Sequence, residues 1–350
     1  MAVRVLIVKM SALGDIIHAL PALNYLHAVS PGIEIDWVVE EPLLDVLEGN
    51  PLISRLFLVR TKVWRKSPLA GQTREEIGIL KRTLRERRYD LVFDIQGNLK
   101  SGLVCWLSGV ADRIGFAKEQ LQETVNLLFT TRQIPVRPRD RHVTDQYLRV
   151  VGLPFGRDFQ EMELATDIYT TLADDAAADA LLATLSDGLV FLFHCGTTWP
   201  SKFWYEEGWV QLGKTLLETY PESSLLLTWG NEAERAAATA IAAAMGGGAR
   251  LVDRHSLKGL TAILKKVDLV VGGDSGPVHL AAAVGTPTVS FYRSSDGRRS
   301  GPRGERHVIV QSPLHCSCCF RTRCDNDEAC RRSITVEALA TAIGRLFPVK

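Results

Sequence analysis

Strand-like and helix-like stretches alternate along this chain, and the alternation runs through twice. In the first half, apolar runs of strand length lie near residues 3–9, 34–40, 54–60, 90–95 and 112–116. Helices are predicted between them, near residues 14–29, 72–88, 99–108 and 119–128. In the second half, strands are predicted near 188–194, 223–229, 249–253, 268–272 and 287–292, and helices near 206–219, 231–245, 257–266 and 277–284. This alternation predicts the α/β class, with parallel sheets covered by helices on both faces.

The length of the chain bears on its domain organisation. At 350 residues it is long for a single core, so two domains are expected. We predict two doubly wound, Rossmann-like domains that face each other across a cleft, covering residues 1–170 and 171–334. A last helix within residues 335–350 is expected to pack back on the first domain.

Bulk composition excludes several kinds of protein. The net charge of +1 gives no general attraction to nucleic acid. No apolar run reaches the length of a membrane span. The N-terminus, MAVRVLIVKM, enters a strand directly and lacks the cleavage site of a signal peptide. We expect a cytoplasmic chain, and we also predict a monomer.

The clearest candidate binding site is the stretch VVGGDSGPVHLAAAVG at residues 270–285. It predicts a buried strand, a tight turn and a helix N-terminus, which is a favourable place for an anion. Asp274 and Ser275 serve either as helix caps or as ligand contacts, and Gly276 allows close approach of a ligand. His279 follows on the first helical turn, where it faces the same cleft if Asp274 does.

The first strand leads into a turn and helix that carry a second candidate site. The turn contains Ser11 and Gly14, but it is not the GxGxxG fingerprint of dinucleotide-binding proteins. Asp15 is either an acid that complements the helix dipole or a general base aimed into the cleft. Ser11 is a cap or a ligand contact, and His18 lies one turn after Asp15.

Two further stretches of the first half bear on an anionic ligand. Residues 60–88 have a basic excess, and the RTKVWRK portion, with Lys62 and Arg65, is predicted as a loop suited to an anionic acceptor. Part of this excess is expected to be a solvated helix face. Gln96 closes a later strand and Lys100 opens the next helix, at another strand end that faces the cleft.

The second half opens with FLFHCGTTWPSKFW, residues 191–204. The hydroxyls of Thr197 and Thr198, together with Lys202, are the groups needed to hold a diphosphate without a metal. The alternative is an ordinary turn with an exposed lysine. Glu232 opens the helix after the next strand, and it either accepts from ribose hydroxyls or complements the dipole.

Taken together, these motifs resemble the lipopolysaccharide heptosyltransferases, a family of inverting GT-B glycosyltransferases, and within it the heptosyltransferase I group. The resemblance spans nearly the whole chain, through VLIVKMSALGDIIHALPAL (5–23), IDWVVEE (35–41), WRK (64–66), DIQGNLKS (94–101), HCGTTWPSKFW (194–204), TWGNEAERA (228–236) and VVGGDSGPVHLAAAVGTPT (270–288). It implies ADP-L-glycero-D-manno-heptose as donor. It implies Kdo attached to lipid A as acceptor, at the cytoplasmic face of the inner membrane.

The resemblance also implies roles for individual residues. Asp15 is similar to the catalytic aspartate of the family. The donor site is implied to contain Thr197, Thr198, Lys202, Glu232, His255, Asp274, Ser275, Gly276 and His279. The family more often has threonine where this chain has Ser275, and His255 falls near the adenine-side position. The acceptor site is assigned to Ser11, Gly14, His18, Lys62, Arg65, Gln96 and Lys100. A third acceptor arginine of the family is replaced near Gln122.

Five of the seven cysteines crowd into CSCCFRTRCDNDEAC, residues 316–330. Cys316, Cys319, Cys324 and Cys330 could supply four thiolates to a structural metal, with Cys318 spare, although their spacing is loose for zinc. Free thiols or oxidised pairs are the alternative. No DxD motif lies at a strand end, so no metal is expected in catalysis.

Alternative functions remain at this point. Transfer to heptose, as in the heptosyltransferase II group, uses the same motifs. A nucleotide-sugar epimerase or an ADP-sugar-binding protein could also use two such domains, but neither accounts for both Asp15 and the basic loop.

Overall fold

The computed structural model describes residues 3–121 and 123–348. The chain forms two compact units, Met1–Tyr169 and Thr170–Lys350. This division lies beside the predicted domain boundary at 170/171. Within the described ranges, no helix is both long and apolar enough to cross a membrane.

The first unit contains a six-stranded sheet whose strands are all parallel. The strands are β1 Arg4–Val8, β2 Glu34–Glu40, β3 Arg55–Val59, β4 Leu91–Asp94, β5 Arg113–Phe116 and β6 Arg132–Ile134, in the spatial order β3-β2-β1-β4-β5-β6. The α-helices are α1 Leu13–Ala19, α2 Pro21–Val29, α3 Thr61–Lys66, α4 Gly71–Glu86, α5 Leu99–Leu107 and α6 Val143–Gly152.

The second unit repeats this design with a second parallel sheet. Its strands are β7 Val190–His194, β8 Ser224–Thr228, β9 Ala249–Leu251, β10 Leu269–Gly273, β11 Thr288–Tyr292 and β12 His307–Gln311, in the order β9-β8-β7-β10-β11-β12. Its helices are α7 Leu172–Leu182, α8 Glu206–Thr219, α9 Glu232–Met245, α10 Leu257–Leu264, α11 Gly276–Ala283, α12 Gly297–Ser300, α13 Asp327–Arg332 and α14 Val336–Leu346.

Burial explains why the central strands are continuous apolar runs. Val5, Leu6, Ile7 and Val8 of β1 are all fully buried, because helices cover both faces of the sheet. In both units the order of the strands reverses between the two central ones, β1 and β4 in the first and β7 and β10 in the second. Crevices at the carboxyl ends of such strands are where doubly wound sheets bind ligands.

Several predicted elements differ from the structure. The predicted helix at 14–29 is two helices, and the second begins at Pro21, whose missing N–H suits a first helical position. Where a helix is predicted at 119–128, the structure has two 3₁₀ turns instead, Lys118–Gln120 and Thr124–Leu128. The predicted RTKVWRK loop contains the short helix α3.

The position of the last helix also differs from the expectation that it returns to the first domain. The structure groups α14 with the second unit, where Leu339, Ala342 and Ile343 join the core that contains Trp204 and Trp209. Trp204 donates its indole N–H to the carbonyl of Ile334 at 2.8 Å, which anchors the segment that leads into this helix.

Candidate active site

The switch point of the first unit is organised by a glutamine side chain. Gln96 follows β4, and its Oε1 accepts hydrogen bonds from the backbone N–H groups of Met10, at 3.1 Å, and Ser11, at 3.0 Å. The sequence assigned Gln96 to acceptor binding. In the structure its oxygen joins the loop after β4 to the loop between β1 and α1.

Asp15 lies on the first turn of α1 at this switch point. Its Oδ2 accepts from the backbone N–H of Ala12 at 3.2 Å, and its Oδ1 accepts from the hydroxyl of Tyr147 at 3.1 Å. The ammonium of Lys9 lies 4.0 Å from the same Oδ1, and 43% of the Asp15 side chain is exposed. A carboxylate has about four acceptor positions. Asp15 is therefore held in one orientation and can still accept a proton from a bound ligand.

The two side chains nearest the Asp15 carboxylate, those of Tyr147 and Lys9, are themselves buried. Tyr147, on α6, is 4% exposed, and Lys9, at the end of β1, is 2% exposed. The Lys9 ammonium lies 4.7 Å from the centroid of the Tyr147 ring, a cation–π contact. Sequence reasoning did not identify Tyr147, because nothing in its local pattern connects it with a residue 132 positions earlier.

The other residues predicted near Asp15 have different environments. His18 contacts α6, with its Nδ1 3.4 Å from the Thr144 hydroxyl and its ring edge-on to His142 at 5.1 Å. Ser11 and Gly14 are half-buried in the loop and first turn around Asp15. The structure therefore brings Ser11, Gly14 and Asp15 together, and both Asp15 and His18 contact α6.

The predicted acceptor cations lie on and beside α3. Lys62 and Arg65 are exposed on this helix. The helix begins at Thr61, whose backbone N–H donates to the Glu40 carboxylate at 3.2 Å. The ammonium of Lys100, from α5, donates to the Thr61 hydroxyl at 3.3 Å, so it lies at the start of the same helix. Gln122 lies outside the described residues.

The switch point of the second unit contains a buried ion pair. The ammonium of Lys202 donates to Oδ2 of Asp274 at 2.6 Å, and Nε2 of His279 lies 3.0 Å from Oδ1. The Lys202 and Asp274 side chains are 16% and 10% exposed. Burial opposes ionisation of Asp274, but the hydrogen bond with His279 and the charge of Lys202 outweigh it and hold the pKa of Asp274 well below its ordinary value.

An anion-binding geometry lies beside this pair at the start of α11. Ser275 is the N-cap residue, Gly276 is the first helical residue, and the positive end of the helix dipole is at this turn. The Ser275 hydroxyl is buried without a hydrogen-bond partner among the described residues, so it is available to a ligand. Gly273 is required by packing, because a Cβ there would lie 3.0 Å from the Phe291 ring and 3.2 Å from the Lys202 carbonyl.

The loop after β7 places the predicted threonines near Lys202. Thr197 is half-buried and Thr198 is exposed, and the Lys202 ammonium lies 4.6 Å from the centroid of the Trp199 ring. His194 closes β7 with its Nδ1 3.1 Å from the Thr228 hydroxyl. Burial lowers the pKa of His194 to about 4, so this imidazole is neutral at physiological pH and adds no charge to the site.

The acid that faces the loop after β7 is Glu234 and not the predicted Glu232. Glu232 is 76% exposed and its nearest charged partner is Arg235, at 3.4 Å. The Glu234 carboxylate accepts from the N–H of Gly230 at 2.8 Å, and a Cβ on Gly196 would lie only 2.4 Å from it. The sequence did contain a signal for this arrangement, since Asn231 and Glu234 have the spacing of a helix-capping pair.

His255 lies just before Ser256, the N-cap residue of α10. It is exposed, and a Cβ on Gly259 would lie 3.1 Å from its own Cβ. His255 therefore packs over the first turn of α10.

The cysteine-rich segment packs against the Lys202 turn. The Ser201 hydroxyl donates to the carbonyl of Arg321 at 2.6 Å, and the backbone N–H of Ser201 donates to the carbonyl of Thr322 at 3.2 Å. Buried Arg293 donates to the Asp327 carboxylate at 2.6 Å. All seven cysteines are free thiols. In the parts of the chain that the structure describes, no three His, Cys, Asp or Glu side chains are grouped to hold a metal ion, and a structural metal at this segment stays a prediction.

The fold and these two sites define a class. Two doubly wound domains, one with an exposed carboxylate and the other with a lysine and a helix N-terminus that suit an anion at its switch point, are an arrangement that nucleotide-sugar glycosyltransferases use.

Comparison with known proteins identifies the family. The chain belongs to glycosyltransferase family 9, the heptosyltransferases, whose model matches residues 77–330. It is 32% identical to lipopolysaccharide heptosyltransferase 1 of Pseudomonas aeruginosa over 92% of this chain and 87% of that protein.

Solved structures agree with this assignment. The E. coli heptosyltransferase WaaC with ADP is 25% identical, with a TM-score of 0.75 over 98% of this chain and 99% of that one. The same enzyme with ADP-2-deoxy-2-fluoro heptose is 26% identical, with a TM-score of 0.71 over 97% and 98% of the two chains. The predicted GT-B fold and glycosyltransferase class are confirmed.

Proposed function

We propose that this glycosyltransferase moves L-glycero-D-manno-heptose from ADP-heptose to Kdo of Kdo-lipid A, with inversion at the anomeric carbon. The observation that carries the proposal is the geometry of Asp15. This carboxylate is fixed by Ala12 and Tyr147 and is still open to a ligand, as a general base must be.

The chemistry proposed for Asp15 is proton removal from the acceptor hydroxyl. As the proton passes to the carboxylate, the acceptor oxygen forms a bond to the anomeric carbon of the heptose. The bond from that carbon to the β-phosphate oxygen breaks on the opposite face, and its electron pair leaves with ADP. Attack opposite the leaving group inverts the configuration without a covalent sugar–enzyme intermediate.

The second unit is proposed to hold the donor and stabilise the leaving diphosphate. Lys202 has three N–H donors, of which Asp274 takes one, so two remain for phosphate oxygens. The start of α11 and the unpartnered Ser275 hydroxyl add neutral donors and the positive end of a helix dipole. Thr197 and Thr198 complete the proposed diphosphate site. The contact of His279 with Asp274 keeps the Asp274 carboxylate oriented toward Lys202.

The nucleoside end of the donor is assigned to the loops after β8 and β9. Glu234 is our preferred ribose-binding acid, because its carboxylate lies against Gly196 whereas Glu232 points to solvent. His255 keeps its proposed place on the adenine side, where its exposed ring is available for contact.

The acceptor is proposed to be acidic because the cations near α3 are exposed and available. Lys62 and Arg65 are exposed, and Lys100 lies at the start of the same helix. Ser11 and Gly14 border Asp15, and His18 contacts α6. Gln96 orients the loop between β1 and α1, which carries Ser11. The similarity to a heptosyltransferase 1 favours Kdo, with transfer to heptose as the alternative. A lipid-linked acceptor gives the enzyme a peripheral position on the cytoplasmic face of the inner membrane.

The test is to incubate the purified protein with ADP-heptose and each of two acceptors, Kdo-lipid A and its heptosylated form, and to measure product masses. We expect one added heptose on Kdo-lipid A and none on the heptosylated form. Addition only to the heptosylated form would assign the chain to the alternative acceptor. Hydrolysis of ADP-heptose without transfer to either acceptor would contradict the proposed function.

A further inference from the structure

One face of α5 is apolar and open to solvent. Leu99, Leu103 and Trp106 are spaced at i, i+4 and i+7, which places them on one side of the helix, and all three are exposed. Trp106 is 53% exposed. Beside this face, the 3₁₀ turn Thr124–Leu128 adds Val125 and Leu128, the latter 79% exposed.

The opposite face of α5 already forms the core contact of this helix. Val104 and Cys105 are buried in the core cluster of the first unit, and a Cβ on Gly102 would lie 2.6 Å from the Phe129 ring. The exposed leucines and the tryptophan are therefore not needed to fix α5 in the fold. Single apolar residues on a surface are ordinary, but a continuous stripe of them indicates a contact with something else.

A basic flank of α4 lies next to this stripe. Leu80 and Leu84 face the core, and Arg74, Lys81 and Arg85 follow one another along the adjacent flank at helical spacing. Arg85 shows which way that flank faces, because its Nε donates to the carbonyl of Leu107, the last residue of α5, at 3.2 Å.

The described part of the chain does not neutralise the charge on this flank. Across residues 71–88, five exposed cations have no carboxylate partner among the described residues: Arg74, Lys81, Arg82, Arg85 and Arg88. The exposed acids of the same stretch are Glu75 and Glu86. The third acid, Glu76, is engaged by Arg60 and Trp64.

We propose that the apolar face of α5 and the basic flank of α4 form a docking surface for an anionic phospholipid bilayer. Leu99, Leu103 and Trp106 would enter the headgroup boundary, where tryptophan is favoured. Arg74 and Lys81 would contact the lipid phosphates, since cations near such a surface are attracted to it. Leu99 begins α5 close to the first switch point, whereas Leu103 and Trp106 lie one and two turns further along the helix. The inference does not depend on which sugar is transferred.

A second copy of the chain fits this surface less well. A two-fold contact places the same patch of both copies together, so the cations of one α4 would approach those of the other. An anionic bilayer is complementary both to the apolar stripe and to the charge. Self-association through this face is accordingly an outcome that the test must distinguish.

The test is sedimentation of the full-length protein with vesicles, without substrates, so that failure of the proposed reaction cannot affect it. One set is phosphatidylcholine alone and the other contains about one third phosphatidylglycerol. We expect binding to the anionic set that weakens as salt is raised, because screening shortens the reach of the charges.

Two test variants measure the contributions of the basic flank and of the apolar face to vesicle binding, and two control variants show the effect of similar changes elsewhere on the surface. Lys81→Glu should weaken vesicle binding at least about fivefold, the scale for loss of one interfacial cation. The double variant Leu103→Ser and Trp106→Ser should weaken it at least about tenfold, through lost apolar burial. The matched controls Lys214→Glu and Leu172→Ser change an exposed cation and an exposed leucine of the second unit and should bind as wild type does.

All five substituted positions are exposed, so the unfolding temperatures should stay close to wild type, which far-UV circular dichroism can monitor. Equal binding by the test and control variants would overturn the proposal. So would no binding to anionic vesicles, or a wild-type dimer in sedimentation velocity that the double variant abolishes while vesicle binding is unchanged.

Discussion

Lys202→Ala is the most direct test of the proposed donor site. The Lys202 ammonium lies 2.6 Å from Asp274 and the Lys202 side chain is 16% exposed, so the group is fixed and largely removed from water before any ligand binds. A charge-assisted hydrogen bond from such a group contributes about 1.5–3 kcal/mol. Because about 1.4 kcal/mol corresponds to tenfold, we expect ADP to bind roughly 10- to 150-fold more weakly to the variant.

The same substitution also has a cost in stability, which must be separated from binding. It leaves the buried Asp274 carboxylate with His279 alone. Breaking a buried pair costs about 3–5 kcal/mol, and less here because His279 and some solvent contact remain. At about 2 kcal/mol, the Tm of a unit of this size would fall by about 4–8 °C.

Titration calorimetry with ADP, well below that Tm, measures the affinity directly. Lys214→Ala is the matched control, since Lys214 is an exposed lysine on α8 of the same unit. If Lys202→Ala binds ADP within about twofold of wild type, the ammonium does not contact the diphosphate and the donor-site assignment is wrong.

Three other predictions concern catalysis, pH and metal. Asp15→Asn should lower turnover about a hundredfold or more with little change in ADP-heptose affinity; near wild-type turnover would remove Asp15 as the base. Because the folded-state pKa of Asp274 is depressed, its ion pair should stabilise the fold above the unfolded pKa of about 4 and lose that contribution as pH falls further. Urea unfolding of Asp274→Asn should therefore show a smaller loss of stability below that pH than wild type; parallel pH profiles would contradict this. Brief treatment with excess EDTA should leave the initial rate within about twofold, and an immediate loss restored by magnesium or manganese, with the fold intact, would exclude the metal-free mechanism.

The central part of each sheet could be predicted from sequence because its strands are buried on both faces. Runs such as RVLIV and LVVGG contain almost no polar residues, and this apolar composition predicts a strand that is buried on both faces. The edge strands β6 and β12 were not predicted. Two of the three residues of β6 are exposed, and no residue of β12 is fully buried, so neither has the apolar run of a central strand.

Some site residues could be predicted from neighbouring residues in the sequence, whereas others depend on contacts between distant parts of the chain. The turn that carries Asp274, Ser275 and Gly276 is local, and strand, turn and helix are each visible in the sequence. The contact of Asp15 with Tyr147 joins α1 to α6, and the pairing of Lys202 with Asp274 joins loops from two strands that are not consecutive. Such contacts depend on the order of strands in the sheet, which periodicity does not specify.

The Lys202–Asp274 pair has a consequence for how the proposed reaction ends. Asp274 is ionised at neutral pH, so half of the pair is a fixed negative charge beside the place assigned to the diphosphate. In ADP-heptose the β-phosphate is esterified to the sugar, and transfer leaves it with one more ionisable oxygen. The product therefore meets stronger repulsion from Asp274 than the donor did, while the sugar hydroxyls that the carboxylate could accept from have departed. At the proposed donor site the same oxygen is attracted more strongly by Lys202 and by the N-terminus of α11, so the repulsion from Asp274 limits the gain in affinity of ADP over the donor.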